Sequence, residues 1–477
     1  MSFVEDVGPV PPAEDLGRVH FVGIGGAGMS GIARILLARG RPVSGCDAKD
    51  SRALTALRAL GADVSVGHDP SHLETADTVV TSSAIRAGNA EVRTARESGM
   101  RVLPRAALLA SVMIGSRGIA VAGTAGKTTT TSMLAVALQA CGRDPSYAIG
   151  GDLNEPGSNA HAGTGEFFVA EADESDKSFL LLSPDAAIVT NVEPDHLDNY
   201  GSAEAVYDAF REFVDRIAVG GTVALGADNE GSRALVPVAA ARGLSVTTFG
   251  LAEDAGLRID DLHLTPTGSR FELVAGGRRL GPLSLAVPGA HNVVNAAGVV
   301  ALGLSLGLPY ADMARGLAGF SGARRRFEPR GEARGVRVFD DYAHHPTKVR
   351  AALAAARHVA AGGRVLAVFQ PHLYSRTRDF AAEFGAALGA ADAVVVMDVY
   401  AAREDPVPGV TGMLVAQAVP LAPDAVRYVP SWSAVPEVVA TLARPGDLVL
   451  TMGAGDVTML GPEILSALEA SATRTSP

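Results

Sequence analysis

The sequence is poor in cysteine, in positive charge and in long apolar runs. Its two cysteines, Cys46 and Cys141, are too few for a disulfide framework and favour a reducing compartment. Lys and Arg total 41 against 52 Asp and Glu, and the resulting net charge of −11 disfavours nonspecific binding to nucleic acid or anionic membranes. No uncharged run reaches the roughly 18 residues that a membrane helix needs. The acidic, proline-rich start is also unlike a signal peptide. These absences predict a cytoplasmic protein with no nucleic-acid and no membrane partner.

Length and composition are those of a multidomain globular protein. The chain has 477 residues, of which 47% are hydrophobic, and at roughly 100–200 residues per domain this length predicts about three domains. Gly and Pro are scattered without a period, which excludes collagen-like and low-complexity classes.

Short apolar strands alternate with helical stretches in three blocks, which predicts an α/β fold built on parallel sheets. The predicted domains are 1–113, 114–322 and 323–477. The first is expected to be Rossmann-like, and the second is expected to carry a phosphate-binding loop. The third is a further alternating block. Within the second, residues 220–290 are expected to form a β-rich elaboration. Polar residues and glycines follow many of the strands, where ligands of such sheets bind.

The first glycine loop predicts a diphosphate ligand. Gly23, Gly25 and Gly28 form G-x-G-x-x-G between a strand and a helix, and Asp47 ends the next strand. Glycines allow the backbone to approach a pyrophosphate, whose charge faces the helix N-terminus. NAD, FAD and a UDP-sugar all fit this pattern, and a tight structural turn is the alternative.

The second glycine loop indicates a nucleoside triphosphate. Gly123, Thr124 and Gly126 lead into Lys127 and Thr128 at the start of a helix. Backbone N–H groups would surround the phosphates, the lysine would neutralise them, and the threonine hydroxyl would hold Mg²⁺. The match to G-x-x-x-x-G-K-[ST] lacks its first glycine. A threonine-rich helix start with a solvent-exposed lysine is the alternative.

Acidic clusters follow the next two predicted strands, at EADESD and NVEPDHLD. Glu171 is a candidate metal ligand, since P-loop enzymes place an acidic residue at a neighbouring strand end. His196 is the second candidate, although Mg²⁺ prefers oxygen and imidazole suits Mn²⁺ better. A capping or core histidine is the alternative at that position.

Eight motifs, in this order, resemble those of the Mur ligase family: GIGGAGM, GTAGKTTT, EADESD, NVEPDHLD, HNVVNA, RRFE, DDYAHHP and FQPH. The resemblance extends over roughly residues 18 to 460. GTAGKT is family-wide, whereas GIGGAGM with DDYAHHP and FQPH is typical of the branch that adds L-alanine. The stretch YDAFREFVDR has no lysine, and that branch also lacks the lysine whose carbamate bridges the metals in sibling ligases.

The resemblance implies a Rossmann-like fold for the third domain. It also implies an ATP-dependent, amide-forming ligase with ATP and Mg²⁺ as cofactors, and with Mn²⁺ as an alternative metal. Its substrates would be UDP-N-acetylmuramate and L-alanine, and the protein would be a monomer or a weak homodimer. The lactyl carboxylate would take the γ-phosphoryl group of ATP, and the alanine amine would then displace phosphate. This reaction belongs to peptidoglycan precursor synthesis.

The motifs also imply site residues. The sugar nucleotide is expected at Gly25, Gly26, Gly28, Met29, Asp47, Ser82 and Ser83. ATP is expected at Gly123, Thr124, Gly126, Lys127, Thr128, Thr129, His291, Asn295 and Asp341, with metal on Thr128, Glu171 and His196. The catalytic set is Lys127, Glu171, His196, Arg326, His344, His372 and Arg376.

Several interpretations stay open from the sequence alone. His344 and His345 precede a proline and could form a structural turn, and the arginines at 324–326 could belong to a solvated linker. Histidine has a suitable pKa range for a general base, but no spacing selects one. Ala125 stands where the family usually has His, and Leu373 where it commonly has Arg. Rival functions are a ligase that attaches a preformed tripeptide, a nicotinamide oxidoreductase and a non-catalytic UDP-sugar-binding regulator.

Overall fold

The computed structural model describes residues 7–82, 85–86, 88–150, 159–402 and 404–470. Ser83, a predicted sugar-binding residue, lies outside them. The fold is α/β with three sheets, each mostly parallel, which confirms the predicted fold class. The described chain forms two compact units. One holds the chain up to Asp261 with Phe271–Ser284 and Val293–Ser321; the other holds Leu262–Arg270, Leu285–Asn292 and the chain from Gly322 onward. The three domain boundaries stay a prediction.

The first sheet is a five-stranded parallel sheet with the order β3-β2-β1-β4-β5. Its strands are β1 Val19–Val22, β2 Val43–Asp47, β3 Asp63–Val66, β4 Thr78–Thr81 and β5 Arg101–Pro104. The connecting helices are α1 Ala27–Ala38, α2 Arg52–Ala59, α3 Ala90–Glu97 and α4 Arg105–Met113. All four residues of β1 are buried, as expected of a strand covered on both faces. The strand order reverses between β1 and β4, so ligands are expected in the crevice beyond their carboxyl ends.

The second sheet has ten strands in the order β15-β14-β13-β12-β11-β10-β6-β9-β7-β8. Its strands are β6 Arg117–Ala122, β7 Ser146–Ala148, β8 Ala160–His161, β9 Phe167–Glu171, β10 Ala186–Val189, β11 Thr222–Gly226, β12 Ser245–Gly250, β13 Leu257–Thr265, β14 Gly268–Ala275 and β15 Arg278–Leu285. The chain between them and after them forms α5 Lys127–Ala140, α6 Leu197–Tyr200, α7 Ala203–Arg216, α8 Glu230–Arg233, α9 Val236–Ala241, α10 Ala290–Ser305 and α11 Tyr310–Ala318. β6 pairs in parallel with both β9 and β10, so the residues after these three strands meet at one edge.

The third sheet has six strands in the order β16-β17-β21-β18-β19-β20, with only β16 antiparallel to its neighbour. Its strands are β16 Glu328–Ala333, β17 Val336–Asp341, β18 Val365–Phe369, β19 Ala393–Val396, β20 Val426–Tyr428 and β21 Leu448–Met452. The helices are α12 Pro346–Ala360, α13 Tyr374–Leu388, α14 Met413–Ala418, α15 Val435–Leu442 and α16 Leu460–Ala470. Alternate residues of β18 belong to two apolar clusters, so helices cover both faces of this sheet.

Among the residues that the structure describes, none of the helices has the length and apolar character to cross a bilayer.

Candidate active site

The first glycine loop joins β1 to α1 and is held by the neighbouring strand. The N–H groups of Gly23 and Ile24 both donate to the carbonyl of Cys46, at 2.8 and 3.0 Å. Gly26 occupies the N-cap position of α1, with Gly28 and the buried Met29 in the first turn. Ser82 directly follows β4. These predicted sugar-binding residues therefore lie at the carboxyl ends of β1 and β4.

Asp47 has a visible structural role in this loop. Its Oδ2 accepts the N–H of Gly25 at 2.9 Å. The N–H groups of all four residues from Gly23 to Gly26 thus have acceptors within the protein, so a diphosphate would be met by the first turn of α1. The expected contact of Asp47 with the sugar nucleotide stays a prediction.

Arg105 was not among the residues expected from the sequence. It begins α4, and a Cβ at Gly28 would lie 3.0 Å from its Cδ. Its Nη2 lies 3.8 Å from Oδ2 of Asp173 in the acidic motif after β9. A positive charge therefore lies beside both the first loop and the acidic motif, and no sequence spacing pointed to it.

The second glycine loop connects β6 to α5 and depends on unusual backbone conformations. Gly126, the N-cap of α5, has φ +85, and a Cβ there would approach Oδ1 of Asn295 to 2.7 Å. Gly123 has φ +137, and its Cβ would lie 2.0 Å from the hydroxyl of Thr190. Only glycine combines these angles with such close neighbours. Asn295 on α10 therefore lies against the loop, as a predicted nucleotide residue should.

The residues after β10 brace this loop through backbone contacts. Asn191 accepts the N–H of Ala125 at 2.9 Å and donates to its carbonyl at 3.0 Å. The hydroxyl of Thr124 accepts from the N–H of Glu193 at 2.8 Å. Ala125 thus contributes through its backbone, so the family's histidine at this position is not needed to form the loop. Thr129 is buried in the first turn of α5.

Lys127 lies within an acidic, buried environment. Its Nζ donates to the carbonyl of Gly123 at 2.8 Å and lies 2.5 Å from Oε2 of Glu174, whose side chain is 2% exposed. Burial lowers the pKa of Lys127, but the negative charges of Glu174 and Asp173 outweigh it and raise the pKa above its usual value. Burial likewise opposes ionisation of Asp173, yet Lys127 and Arg105 lower its pKa to about 2. Lys127 and Asp173 are therefore charged at neutral pH.

Two oxygen ligands for a metal lie side by side at the start of α5. The Thr128 hydroxyl donates to Oε1 of Glu171 at 2.8 Å, and the other carboxylate oxygen accepts the N–H of Gly150 at 2.6 Å. Adjacent ligands of an octahedral Mg²⁺ at about 2.0–2.1 Å are about 2.9 Å apart. Thr128 and Glu171 therefore fit the cation that the sequence predicts for them.

His196 lies at the N-terminus of α6 with φ +56. Its Nε2 is 3.9 Å from Oε1 of Glu174 and 3.6 Å from Oδ2 of Asp195. The histidine thus faces the same acidic cluster as Lys127. Its role as a metal ligand stays a prediction.

In the second unit, predicted site residues gather beyond β17 and β18. Asp341 ends β17 and accepts the N–H of Phe327 at 2.8 Å. Burial raises its pKa to about 6, although the nearby Arg326 acts in the opposite direction. The guanidinium of Arg326 lies 5.2 Å from the ring centre of Tyr342. Burial, together with Arg326, lowers the pKa of His291 to about 4, so this imidazole is neutral.

Histidines from two loops approach one another at this edge. The rings of His344 and His372 are 6.2 Å apart, and His372 stacks on Tyr400 at 5.9 Å. Arg376, in the first turn of α13, is 6% exposed. Leu373 precedes α13 with φ +69 and is buried. The structure therefore brings two predicted catalytic residues, His344 and His372, close together, and Arg376 lies in the helix that follows His372.

Arg325 is part of an internal network. Its side chain donates to the carbonyl of Gly453 at 2.8 Å and lies 3.4 Å from Oδ2 of the fully buried Asp340. Asp340 also accepts hydrogen bonds at 2.7 Å from the hydroxyls of Thr451 and Thr458. The arginine cluster is therefore more than a solvated linker, and Arg325 stabilises the strand ends.

Three family models match the chain in sequence order. They describe a Mur ligase family catalytic domain at residues 18–117, a Mur ligase middle domain at 121–303 and a Mur ligase glutamate ligase domain at 325–455. The chain belongs to the Mur ligase family.

Relatives of this Mur ligase match over nearly their whole length. A UDP-N-acetylmuramate--L-alanine ligase of Acidothermus cellulolyticus is 60% identical over 96% of each chain, and one of Mycobacterium marinum is 52% identical over 98% of each. A solved UDP-N-acetylmuramate-alanine ligase of Thermotoga maritima superposes with a TM-score of 0.80 at 29% identity, covering 95% of this chain and 99% of the other. A murein peptide ligase of Psychrobacter arcticus shares the fold, with a TM-score of 0.69 at 24% identity and coverage of 95% and 99%.

The site of this Mur ligase contains residues that sequence reasoning missed. Glu174 and Asp173 belong to a motif that was recognised, but only Glu171 was singled out from it. Which carboxylate faces Lys127 depends on the turn after β9, and no spacing rule fixes that turn.

Proposed function

We propose that this chain is the ligase that joins L-alanine to the lactyl carboxylate of UDP-N-acetylmuramate with cleavage of ATP to ADP and phosphate. The observation that carries the proposal is the 60% identity to an L-alanine-adding ligase over 96% of both chains. The two cysteines Cys46 and Cys141 are free, which supports a cytoplasmic location for the reaction.

The chemistry requires activation of a carboxylate. A carboxylate anion is inert towards amines, so its oxygen first attacks the γ-phosphorus of ATP and releases ADP, which leaves an acyl phosphate. The alanine amine then attacks the carbonyl carbon and loses a proton, and the tetrahedral intermediate expels phosphate. In the first step the bond between the γ-phosphorus and the bridging oxygen of ADP breaks as a P–O bond to the carboxylate forms. In the second step the C–N bond of the amide forms and the C–O bond of the acyl phosphate breaks, so the released phosphate carries one carboxylate oxygen.

The phosphate loop supports the first step. The N–H groups of the first turn of α5 would face the phosphates, whereas the N–H groups of Thr124 and Ala125 are already bonded to Asn191. Lys127 would exchange its contact with Glu174 for a phosphate oxygen and neutralise charge that develops during transfer. Asn295, which lies against Gly126, would contact the nucleotide.

Thr128 and Glu171 would hold Mg²⁺, and His196 would face the same cluster. When bound, the cation neutralises phosphate oxygens and fixes their orientation. Thr128 must turn its hydroxyl proton away from Glu171 for both oxygens to face one cation.

The second unit would contribute groups for nucleotide and amino acid. Arg326 would contact the transferring phosphate, and Asp341 with His291 would serve the nucleotide. Arg376 would form a two-pronged ion pair with the alanine carboxylate. His344 and His372 would lie nearby as candidate acceptors of the amine proton.

The decisive experiment measures phosphate release from ATP, Mg²⁺ and UDP-N-acetylmuramate with one of two amines. L-alanine alone is expected to support release, and mass spectrometry should detect the amide product. Release only with the preformed tripeptide would assign the chain to the tripeptide-adding activity. Inactivity of folded protein with both amines would refute ligase function.

A further inference from the structure

Five side chains with metal-ligating atoms cluster on and beside the first, five-stranded sheet, on elements that do not form the phosphate loop. His20 lies in β1, Cys46 in β2, and Glu91 in α3, whereas His68 and His72 follow β3. His20, Cys46 and Glu91 are at most 1% exposed, and the two other histidine side chains are about one quarter exposed. The proposed ligase reaction uses none of these five residues.

The donor atoms converge on the carboxylate of Glu91. Its Oε2 lies 2.7 Å from the Sγ of Cys46 and 3.3 Å from Nδ1 of His68, and these two atoms are 3.1 Å apart. Its Oε1 lies 2.7 Å from Nδ1 of His72. A sulfur, a nitrogen and an oxygen therefore already form a small triangle.

His20 supplies a second, independent observation. Its Nε2 is buried and has no hydrogen-bond partner within the part of the chain that the structure describes. That nitrogen lies 3.9 Å from Oε1 of Glu91, whereas Nδ1 on the other side of the ring bonds to Ser44 at 2.9 Å. A buried imidazole nitrogen without a partner is costly unless another ligand satisfies it. The hydrogen bond to Ser44 orients the ring, as a bond to the second ring nitrogen does in metal-bound histidines.

We propose that this cluster binds one Zn²⁺ through Cys46, His68, Glu91 and His20, with His72 orienting the carboxylate of Glu91. Mixed sulfur, nitrogen and oxygen donors select zinc over Mg²⁺, which prefers oxygen. Around a tetrahedral zinc with bonds of about 2.0–2.3 Å, donor atoms lie roughly 3.3–3.6 Å apart. The donor atoms of Cys46, His68 and Glu91 are at present 2.7–3.3 Å apart, so binding requires them to separate by up to about 0.8 Å. His20, whose Nε2 is 3.9 Å from Oε1 of Glu91, must move closer.

Binding replaces the proton of the Cys46 thiol by a sulfur–zinc bond, and the proton is released to solvent. The backbone next to this sulfur holds the first glycine loop, because the carbonyl of Cys46 accepts from Gly23 and Ile24. Asp47, the next residue, accepts from Gly25. Zinc would therefore fix the end of β2 directly beneath the loop expected to bind the UDP-sugar.

Cobalt and zinc titrations of the tag-free, chelator-treated full chain test the proposal. Co²⁺ is added first, because a cobalt–thiolate bond gives a charge-transfer absorption that oxygen-only sites such as Thr128 and Glu171 do not give. We expect one cobalt per chain with this absorption, its loss on addition of Zn²⁺, and a higher Tm with Zn²⁺. Wild-type protein that lacks the absorption and the Tm shift would refute the site.

Matched variants of the two cysteines show which sulfur gives the cobalt–thiolate absorption. Cys46→Ser should abolish the charge-transfer absorption and weaken zinc binding by at least about 100-fold, whereas Cys141→Ser should leave both unchanged. His72→Ala should weaken binding by about 10-fold while retaining the absorption, because His72 holds the carboxylate of Glu91 in place without contacting the metal. Should Cys46→Ser fail to fold, His68→Ala offers the same comparison through a more exposed ligand. Equal zinc affinity in wild type and in folded Cys46→Ser or His68→Ala would overturn the proposal.

Discussion

At the scale of single residues, Lys127 occupies the position where the sequence places it but has a partner that the sequence did not reveal. Replacing it with Ala removes the positive charge expected at the ATP phosphates, so we predict that kcat falls by at least about 100-fold. UDP-sugar affinity should change by less than about 2-fold, because the first glycine loop is a separate element. Phosphate release and calorimetry with the UDP-sugar measure the two effects.

Stability is the control for that variant. Removing Lys127 leaves the buried Glu174 without its lysine partner, which costs about 3–5 kcal/mol. The double variant Lys127→Ala/Glu174→Gln should recover much of this loss and remain inactive. A double variant with wild-type Tm that loses ATP turnover and sugar binding equally would contradict the separation of the two loops.

Asp341 provides a test of pH dependence. Its pKa is raised to about 6, above the ordinary value of about 4, so the folded protein binds this proton more tightly than the unfolded chain. The contribution of Asp341 to stability is therefore greatest below pH 4 and declines as the pH rises from about 4 to about 6. Asp341→Asn, which cannot ionise, should gain on the order of 1–3 kcal/mol relative to wild type across this window.

Thermal unfolding of wild type and Asp341→Asn at several pH values measures the effect. The difference in Tm should increase between pH 4 and pH 6 and stay constant above about pH 7. A difference that is independent of pH would show that the carboxyl group has an ordinary pKa in the folded protein.

At the scale of elements, helix α5 is flanked at both ends by a glycine with a positive φ angle. Gly126 before the helix and Gly142 after it have φ +85 and +70, but only Gly126 faces a close neighbour, since nothing lies within 4 Å of a Cβ at Gly142. Gly142→Ala should cost about 1 kcal/mol for backbone strain alone. Gly126→Ala should cost about 1–3 kcal/mol more, because its methyl group must displace Asn295.

The two alanine variants are compared by denaturant unfolding and by KM for ATP. Only Gly126→Ala is expected to raise that KM, because its end of the helix forms the phosphate loop. Equal destabilisation of both variants, with unchanged KM, would mean that Asn295 has no role in shaping the loop.

The three sheets were more predictable from the sequence than the individual helices and strands within them. Alternating apolar strands and glycine turns predicted the three sheets, since these signals are local. The β-rich expectation for residues 220–290 holds for five strands, yet the structure adds α8 and α9. Asn229 caps α8 and Pro237 lies in the first turn of α9, two start signals that were overlooked.

At the scale of the whole molecule, site residues were predictable only where a motif requires a particular residue type for a known chemical reason. Glycines, Lys127 and Thr128 were found because phosphate binding requires them. Arg105, Glu174 and Asp340 were not, because their partners are separated by long stretches of sequence and meet only through the sheet order. Long-range ion pairs of this kind leave no periodic signal.

The net charge of −11 also yields a prediction for the whole chain. Its long-range field should repel polyanions, so a labelled DNA duplex and anionic vesicles should show no binding at low salt. Fluorescence anisotropy and vesicle sedimentation measure this, with a basic DNA-binding protein as positive control. Salt-sensitive binding of either polyanion would reveal a local basic surface that outweighs the net charge.

The contact between Lys127 and Glu174 bears on inhibition of the enzyme by its product, inorganic phosphate. The carboxylate of Glu174 is part of the same chain, so it competes with phosphate for Lys127 at a high effective concentration. A single inorganic phosphate would have to displace that carboxylate with few other contacts, whereas a triphosphate would also gain the amides of the first turn of α5 and the proposed Mg²⁺. We therefore expect the phosphate that accumulates during turnover to inhibit weakly and to leave the site open to the next nucleotide.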